Sequence, residues 1–247
     1  LYNNYMGSDI WPVGSVMIGA IILAMIYGYL YFQYRYQYLL YWSVAWVVYA
    51  VPAMIGAELI QLPFFYINAF SLVATFFLAR GTLSFLTARY PQAERYKRLV
   101  LYFALASLVW MIAANLLGIS MDWQLALTDV FIFLVLGGMG LLLLENWRLG
   151  QPYIVLGIPL SVIGLCAFMA LFVLPEIVEL VVLYMLGLSL PVLAIGMLIA
   201  FVDHLRRDVV ASQEKLRRDV ELSLDEAQKN YQTVIEQQAV GVGILDP

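Results

Sequence analysis

Five side chains with polar or amphipathic chemistry stand within or at the margins of otherwise apolar runs: Tyr66 and Asn68, Trp110 and Asn115, and Asp129. A polar group in hydrocarbon costs free energy unless something satisfies it, so such residues point to a site. Placed toward the outer halves of three successive apolar stretches, with Glu58 and Gln61 at the outer edge, the five outline an outward-opening pocket. Its chemistry fits a small amphipathic or cationic molecule that enters from outside or from the lipid. The plainer account of Asp129 puts it in the first turn of its helix, where the helix dipole and interfacial water favour a carboxylate, and the sequence leans toward that account. Asp122, seven residues earlier, shares a helix face with Asp129 if the helix already begins there.

Other chemistries lack their residues. A retinal Schiff base needs a lysine inside a span, and Lys97, Lys215 and Lys229 all lie outside the apolar runs. Haem held by paired histidines needs a second histidine beside His204, which reads as an interfacial residue near a helix end. Ten methionines are scattered without the tight repeat of a copper site. Cys166, alone in an apolar run, is a packing residue, with no disulfide framework or thiolate cluster. No HExxH motif, serine nucleophile with a base, or histidine–carboxylate cluster occurs, so neither a catalytic residue, a metal site nor a cofactor is expected in this segment.

The elements that must position these residues are membrane helices. The chain is 64% hydrophobic and 12% charged, with a mean hydropathy of +0.86, outside the range of soluble domains. Seven apolar runs, near residues 11–32, 38–57, 63–79, 99–118, 125–144, 153–174 and 177–202, are each long enough to cross a bilayer. The expected fold class is an all-α membrane protein, a seven-transmembrane helix bundle over residues 1–202. All thirteen lysines and arginines fall on one side of it, in the first, third and fifth loops and after the last span. By the positive-inside rule that side is the cytoplasm, which puts the N-terminus outside and the C-terminus inside. Asp9, Glu58, Asp122, Asp129, Glu176 and Glu179 give the other side acids and no bases.

The stretch YGYLYFQYRYQYLLYW, residues 27–42, gathers seven tyrosines around Arg35 and reads as an interfacial belt at a short cytoplasmic turn. Gly137, Gly138 and Gly140 allow close helix approach, as do Gly187 and Gly196 around Pro191, and Pro191 can kink the last span. No basic segment precedes the first apolar run and no small-residue cleavage site follows it, so a cleavable signal peptide is not expected.

From Phe201 the composition turns charged and helix-forming, without Gly or Pro as far as Gln238. Leu205, Val209, Ser212, Leu216, Val220, Leu224, Ala227, Tyr231 and Val234 recur at spacings of three and four, a coiled-coil seam with one stutter-like irregularity. Over residues 203–236 this predicts a cytoplasmic signalling helix that pairs with a second copy as a parallel homodimer. Pro191, Leu205, Val209, Leu216 and Val220 are the candidate signal-transmitting residues.

The last residues, NYQTVIEQQAVGVGILDP, end the helix near Gln238 and start a strand over 240–246. This segment resembles the opening of a PAS domain, so residues 237–247 are expected to begin one that continues in a longer polypeptide. Together with seven spans and an outside N-terminus, the chain is similar to the seven-transmembrane N-terminal sensor regions of bacterial receptors fused to PAS, histidine kinase or diguanylate cyclase modules. YLLYWSVAWVVYAV, residues 38–51, resembles the aromatic second helix of those regions. The resemblance implies the bacterial inner membrane, a lipid bilayer and a small-molecule or lipid-like ligand as partners, no nucleic acid, and a downstream histidine kinase or cyclic-di-GMP enzyme. A transporter or channel with a cytoplasmic regulatory tail is the competing class; mid-membrane charge pairs and a clear inverted repeat, which would favour it, are missing.

Overall fold

A computed structural model describes residues 10–56, 64–87, 90–119, 121–146, 150–172 and 175–243. Their order is α1 (Ile10–Tyr34), α2 (Gln37–Gly56), α3 (Phe64–Thr87), α4 (Ala93–Leu116), α5 (Met121–Ile132), a π-helical turn (Phe133–Gly137), α6 (Gly138–Glu145), α7 (Gln151–Phe172) and α8 (Pro175–Gly243). No strand occurs among the described residues. Helix is the form in which an apolar segment satisfies its own backbone without water. Among the described residues six helices are long and apolar enough to cross a membrane, and α2 adds a shorter apolar stretch, Gln37–Val51. The chain is an all-helical, multi-pass membrane protein.

The turns between helices have local causes. At the end of α4, Gly118 takes a left-handed φ of 64°, and the Ile119 N–H donates back to the Ala114 carbonyl at 2.9 Å, which closes a Schellman motif. At the end of α1 the left-handed position is filled by Arg35, φ 61°, whose N–H donates to the Tyr31 carbonyl at 2.8 Å. Its guanidinium lies over the Tyr31 and Phe32 rings, 5.9 and 5.8 Å from their centroids. A side chain in this conformation costs about 1–2 kcal/mol that glycine avoids. Arg35→Gly and Arg35→Ala lose the same ring contacts, so the glycine variant is expected to be more stable than the alanine one by about 1 kcal/mol in denaturant titrations.

Two units make up the chain, residues 1–197 and 198–247. In the first, α1 to α4 pack against one another in sequence, α5, the π turn and α6 pack on α7, and α3 also meets α5 and the π turn. Half of the spanning residues of α3 and of α7 are buried, against 17% in α1 and 22% in α4. The cores of the unit therefore gather on α3 and α7.

The aromatic run at the α1–α2 turn divides between two roles. Tyr29, Phe32 and Tyr34 are exposed, as a belt requires. Tyr27, Tyr38 and Trp42 are instead core residues, joined edge-to-face with Phe85 of α3, which meets Tyr153 of α7 at 6.2 Å. Gly81 leaves room for the Trp42 indole: a Cβ there would lie 2.7 Å from Trp42 Nε1.

Small residues let α5–α6 and α7 touch through their backbones. A Cβ on Gly164 would meet the Gly137 nitrogen at 2.5 Å and its Cα at 2.6 Å, and one on Gly140 would lie 2.8 Å from the Gly157 carbonyl oxygen. Gly138, between them in sequence, is exposed and has nothing near its Cβ position.

In the second unit the chain is helical through Gly243, so the expected end at Gln238 and the strand from Val240 do not form over 240–243. A strand needs a neighbouring edge for its amides, and the described residues supply none; the helix satisfies them locally. Residues 244–247 lie outside the described residues. From Arg206 to Glu236 every side chain is exposed, the seam residues Val209, Leu216, Val220, Leu224, Tyr231 and Val234 included. Ion pairs four residues apart line this surface, Arg207–Asp203 at 3.2 Å, Arg217–Glu221 at 2.8 Å and Lys229–Asp225 at 2.8 Å. Each adds about 0.3–0.5 kcal/mol to a solvated helix.

Candidate functional site

Helical spacing brings five short faces around one cavity of about 270 Å³. From α2 come Trp46 and Tyr49, from α3 Ser71, Thr75 and Leu78, from α5 and the π turn Asp129, Ile132 and Leu136. Ile163 and Cys166 of α7 and Leu190 and Leu193 of α8 close it. Each set recurs at three or four residues, one side of a helix. The volume sits at the small end of ligand pockets, which run to about 300–1,000 Å³, and a mostly apolar wall with few polar groups is their usual make-up.

Asp129 is the one charged residue of the wall among the described residues. The structure places it in the third turn of α5, whose first residue is Met121, about 12 Å along the axis. Dipole stabilisation fades within the first turn, so the end-of-helix account of this carboxylate does not apply. Asp129 has neither an ion pair nor a hydrogen bond to another described residue. The side chain of Asp122 lies outside the described residues.

Two buried donors near this wall also want partners. Trp46 is 5% exposed, packs edge-to-face on Tyr49 with centroids 6.0 Å apart, and its indole Nε1 has no hydrogen-bond partner among the described residues. Asn68 is 4% exposed with an unpartnered amide nitrogen, and stands three residues before Ser71, hence on the same side of α3. An unmade bond on a buried donor costs about 1–3 kcal/mol.

Of the five residues expected to bound a pocket, only Asp129 lines this cavity. Asn68 lies one turn away on a cavity-lining face. Tyr66, Trp110 and Asn115 are exposed, Trp110 and Asn115 on the peripheral helix α4. Trp46, Tyr49, Ser71 and Thr75 were not singled out by sequence, although the pairs 46/49 and 71/75 carry helical spacing.

The helix that closes the cavity is held at two further points. The Tyr27 hydroxyl donates to the Ala194 carbonyl at 2.8 Å, a buried bond from α1 to α8. A Cβ on Gly196 would lie 2.9 Å from the Val155 carbonyl oxygen of α7, so α8 runs flush against that backbone. Pro191, inside α8, is exposed, between the cavity residues Leu190 and Leu193. Loss of the Tyr27 hydroxyl in Tyr27→Phe leaves the ring packing in place and the tie absent; a stability loss of about 1 kcal/mol is expected in denaturant titrations.

Among the described residues no three His, Cys, Asp or Glu side chains gather as metal ligands. No protein family, curated protein or solved structure matches the chain.

Proposed function

We propose that the chain is the input half of a bacterial transmembrane signalling receptor of the inner membrane. It has seven spans, α2 being the one with the shorter apolar stretch, an N-terminus outside and a C-terminus in the cytoplasm. A small molecule or a membrane state is perceived by the bundle. The signal passes through α8 and a parallel dimeric coiled coil to a PAS-linked histidine kinase or cyclic-di-GMP enzyme.

One observation carries this reading. α8 lines the cavity at Leu190 and Leu193, and the same unbroken helix bears the exposed seam of Val209, Leu216 and Val220. Anything that changes the cavity acts on the helix that holds the seam. An occupant can shift an equilibrium only by binding one arrangement of α8 better than the other, and Leu190 and Leu193 in the cavity wall place α8 where an occupant would touch it.

The test is the distance between spin labels at Val220→Cys in a Cys166→Ser chain, measured in lipid nanodiscs. A parallel dimer gives a short, defined label-to-label distance, and filling the cavity with Ala74→Phe is expected to shift its distribution. A monomeric chain, or distributions unchanged by cavity filling, would remove the receptor reading.

A further inference from the structure

We infer that the five-helix cavity is a binding site for a compact organic amine: one protonated nitrogen, a small apolar body and one hydrogen-bond acceptor. The inference deepens the receptor reading and rests on it for the meaning of the signal, while binding is measured apart from any movement of α8.

The first ground is charge. Asp129 lines a mostly apolar cavity whose other polar lining groups are neutral, and no described cation pairs with it. An ionised carboxylate in such a place is costly until a positive charge joins it, so a cationic occupant gains where a neutral one does not. Among the described residues none supplies that charge: Arg35, Arg80, Arg95, Lys97 and Arg98 lie at the α1–α2 turn, in the last third of α3 and in the first turns of α4, and none lines the cavity.

The second ground is the aromatic wall. Trp46 and Tyr49 line the cavity with Asp129, and an indole is the strongest of the aromatic faces for a cation. An anionic or purely hydrocarbon occupant would use neither the carboxylate nor this property. The third ground is the orphaned Nε1–H of Trp46, a buried donor that an oxygen on the occupant would complete. Volume sets the remaining limit: about 270 Å³ holds a single ring with a short side chain, whereas a full lipid acyl chain does not fit.

Three probes separate these grounds: 2-phenoxyethylamine, with amine and ether oxygen; 2-phenylethylamine, with the amine alone; and 2-phenoxyethanol, its neutral counterpart. Each is titrated calorimetrically into the full chain in nanodiscs, with empty nanodiscs subtracted to remove partition into lipid. The expected result is binding of phenoxyethylamine about tenfold tighter than phenoxyethanol, a preference abolished by Asp129→Asn. Trp46→Phe keeps an aromatic ring and removes the N–H, and is expected to bring phenoxyethylamine down to the affinity of phenylethylamine. No binding of any probe above empty nanodiscs, an equal or greater affinity for the alcohol, or an unchanged preference in Asp129→Asn overturns the inference.

The two readings fail separately. Amine binding without any shift of the Val220 label distance removes the receptor and keeps the site. A shift on cavity filling without amine binding removes the amine and keeps the receptor.

Discussion

Gly164→Val is expected to be the most damaging single substitution in the membrane unit, costing about 3 kcal/mol or more, while Gly138→Ala a short distance away raises stability by about 0.5–1 kcal/mol. The contrast follows from what each Cβ meets. On Gly164 it would fall 2.5 Å from the backbone nitrogen of Gly137 and 2.6 Å from its Cα, atoms that no rotamer change moves. Relief would require α7 to separate from the π turn, and the separation would open the wall that Leu136 and Ile163 share. Gly138 is exposed, with no atom near its Cβ position, so alanine there only removes the backbone freedom that glycine loses on folding. Denaturant titration in micelles, followed by far-ultraviolet circular dichroism, measures both. Equal stabilities for Gly164→Val and the native chain would mean that α7 and the π turn do not touch through their glycines.

The same pair of helices shows how far the sequence reaches. Gly137, Gly138 and Gly140 were legible as a close-approach cluster, yet Gly138 takes no part, and the partners Gly157 and Gly164 on α7 were not singled out. A cluster names residues on one helix; which of them meets a neighbour depends on rotation about the axis. In a soluble protein the apolar stripe fixes that rotation. In a membrane helix the face toward lipid and the face toward protein are equally apolar, so the periodic signal is faint.

The candidate site suffered from the same degeneracy. Tyr66, Trp110 and Asn115 have the chemistry of a pocket, but their helices turn them to the exterior, whereas Trp46, read only as part of the aromatic stretch 38–51, is buried beside the cavity. Asp129 was legible because a carboxylate in an apolar run is costly wherever it faces. Helix positions were read well for a related reason: a run of about 20 apolar residues has few other stable forms, and six of the expected runs coincide with helices long enough to cross a membrane. The strand at 240–243 was misread, because Val240 and the glycines around it have strand-like composition but no edge to join.

If α8 pairs as proposed, Leu216→Pro is expected to abolish that pairing beyond the substitution while the protein stays in the membrane. Proline at 216 removes the N–H that would bond the Ser212 carbonyl and drives its ring against that carbonyl, a cost of about 3 kcal/mol or more in a helix interior. The side chains from Arg206 to Glu236 are all exposed, so no buried surface offsets such a loss, and the ion pairs of the stretch lie within one helix. The spans contain no altered residue, so insertion is untouched. Oxidative cross-linking between copies, in a Cys166→Ser background, reads the result at two positions. Val209→Cys, before the break, keeps its cross-link; Val220→Cys, after it, loses it. Arg218→Ala is the matched control: its pair with Glu214 spans 3.8 Å between two exposed side chains, and removing it leaves cross-linking at Val220→Cys unchanged. A Val220→Cys cross-link of native strength in the Leu216→Pro chain would show that the copies meet without a continuous helix, and the rod that is to carry a signal from the cavity would have to be abandoned.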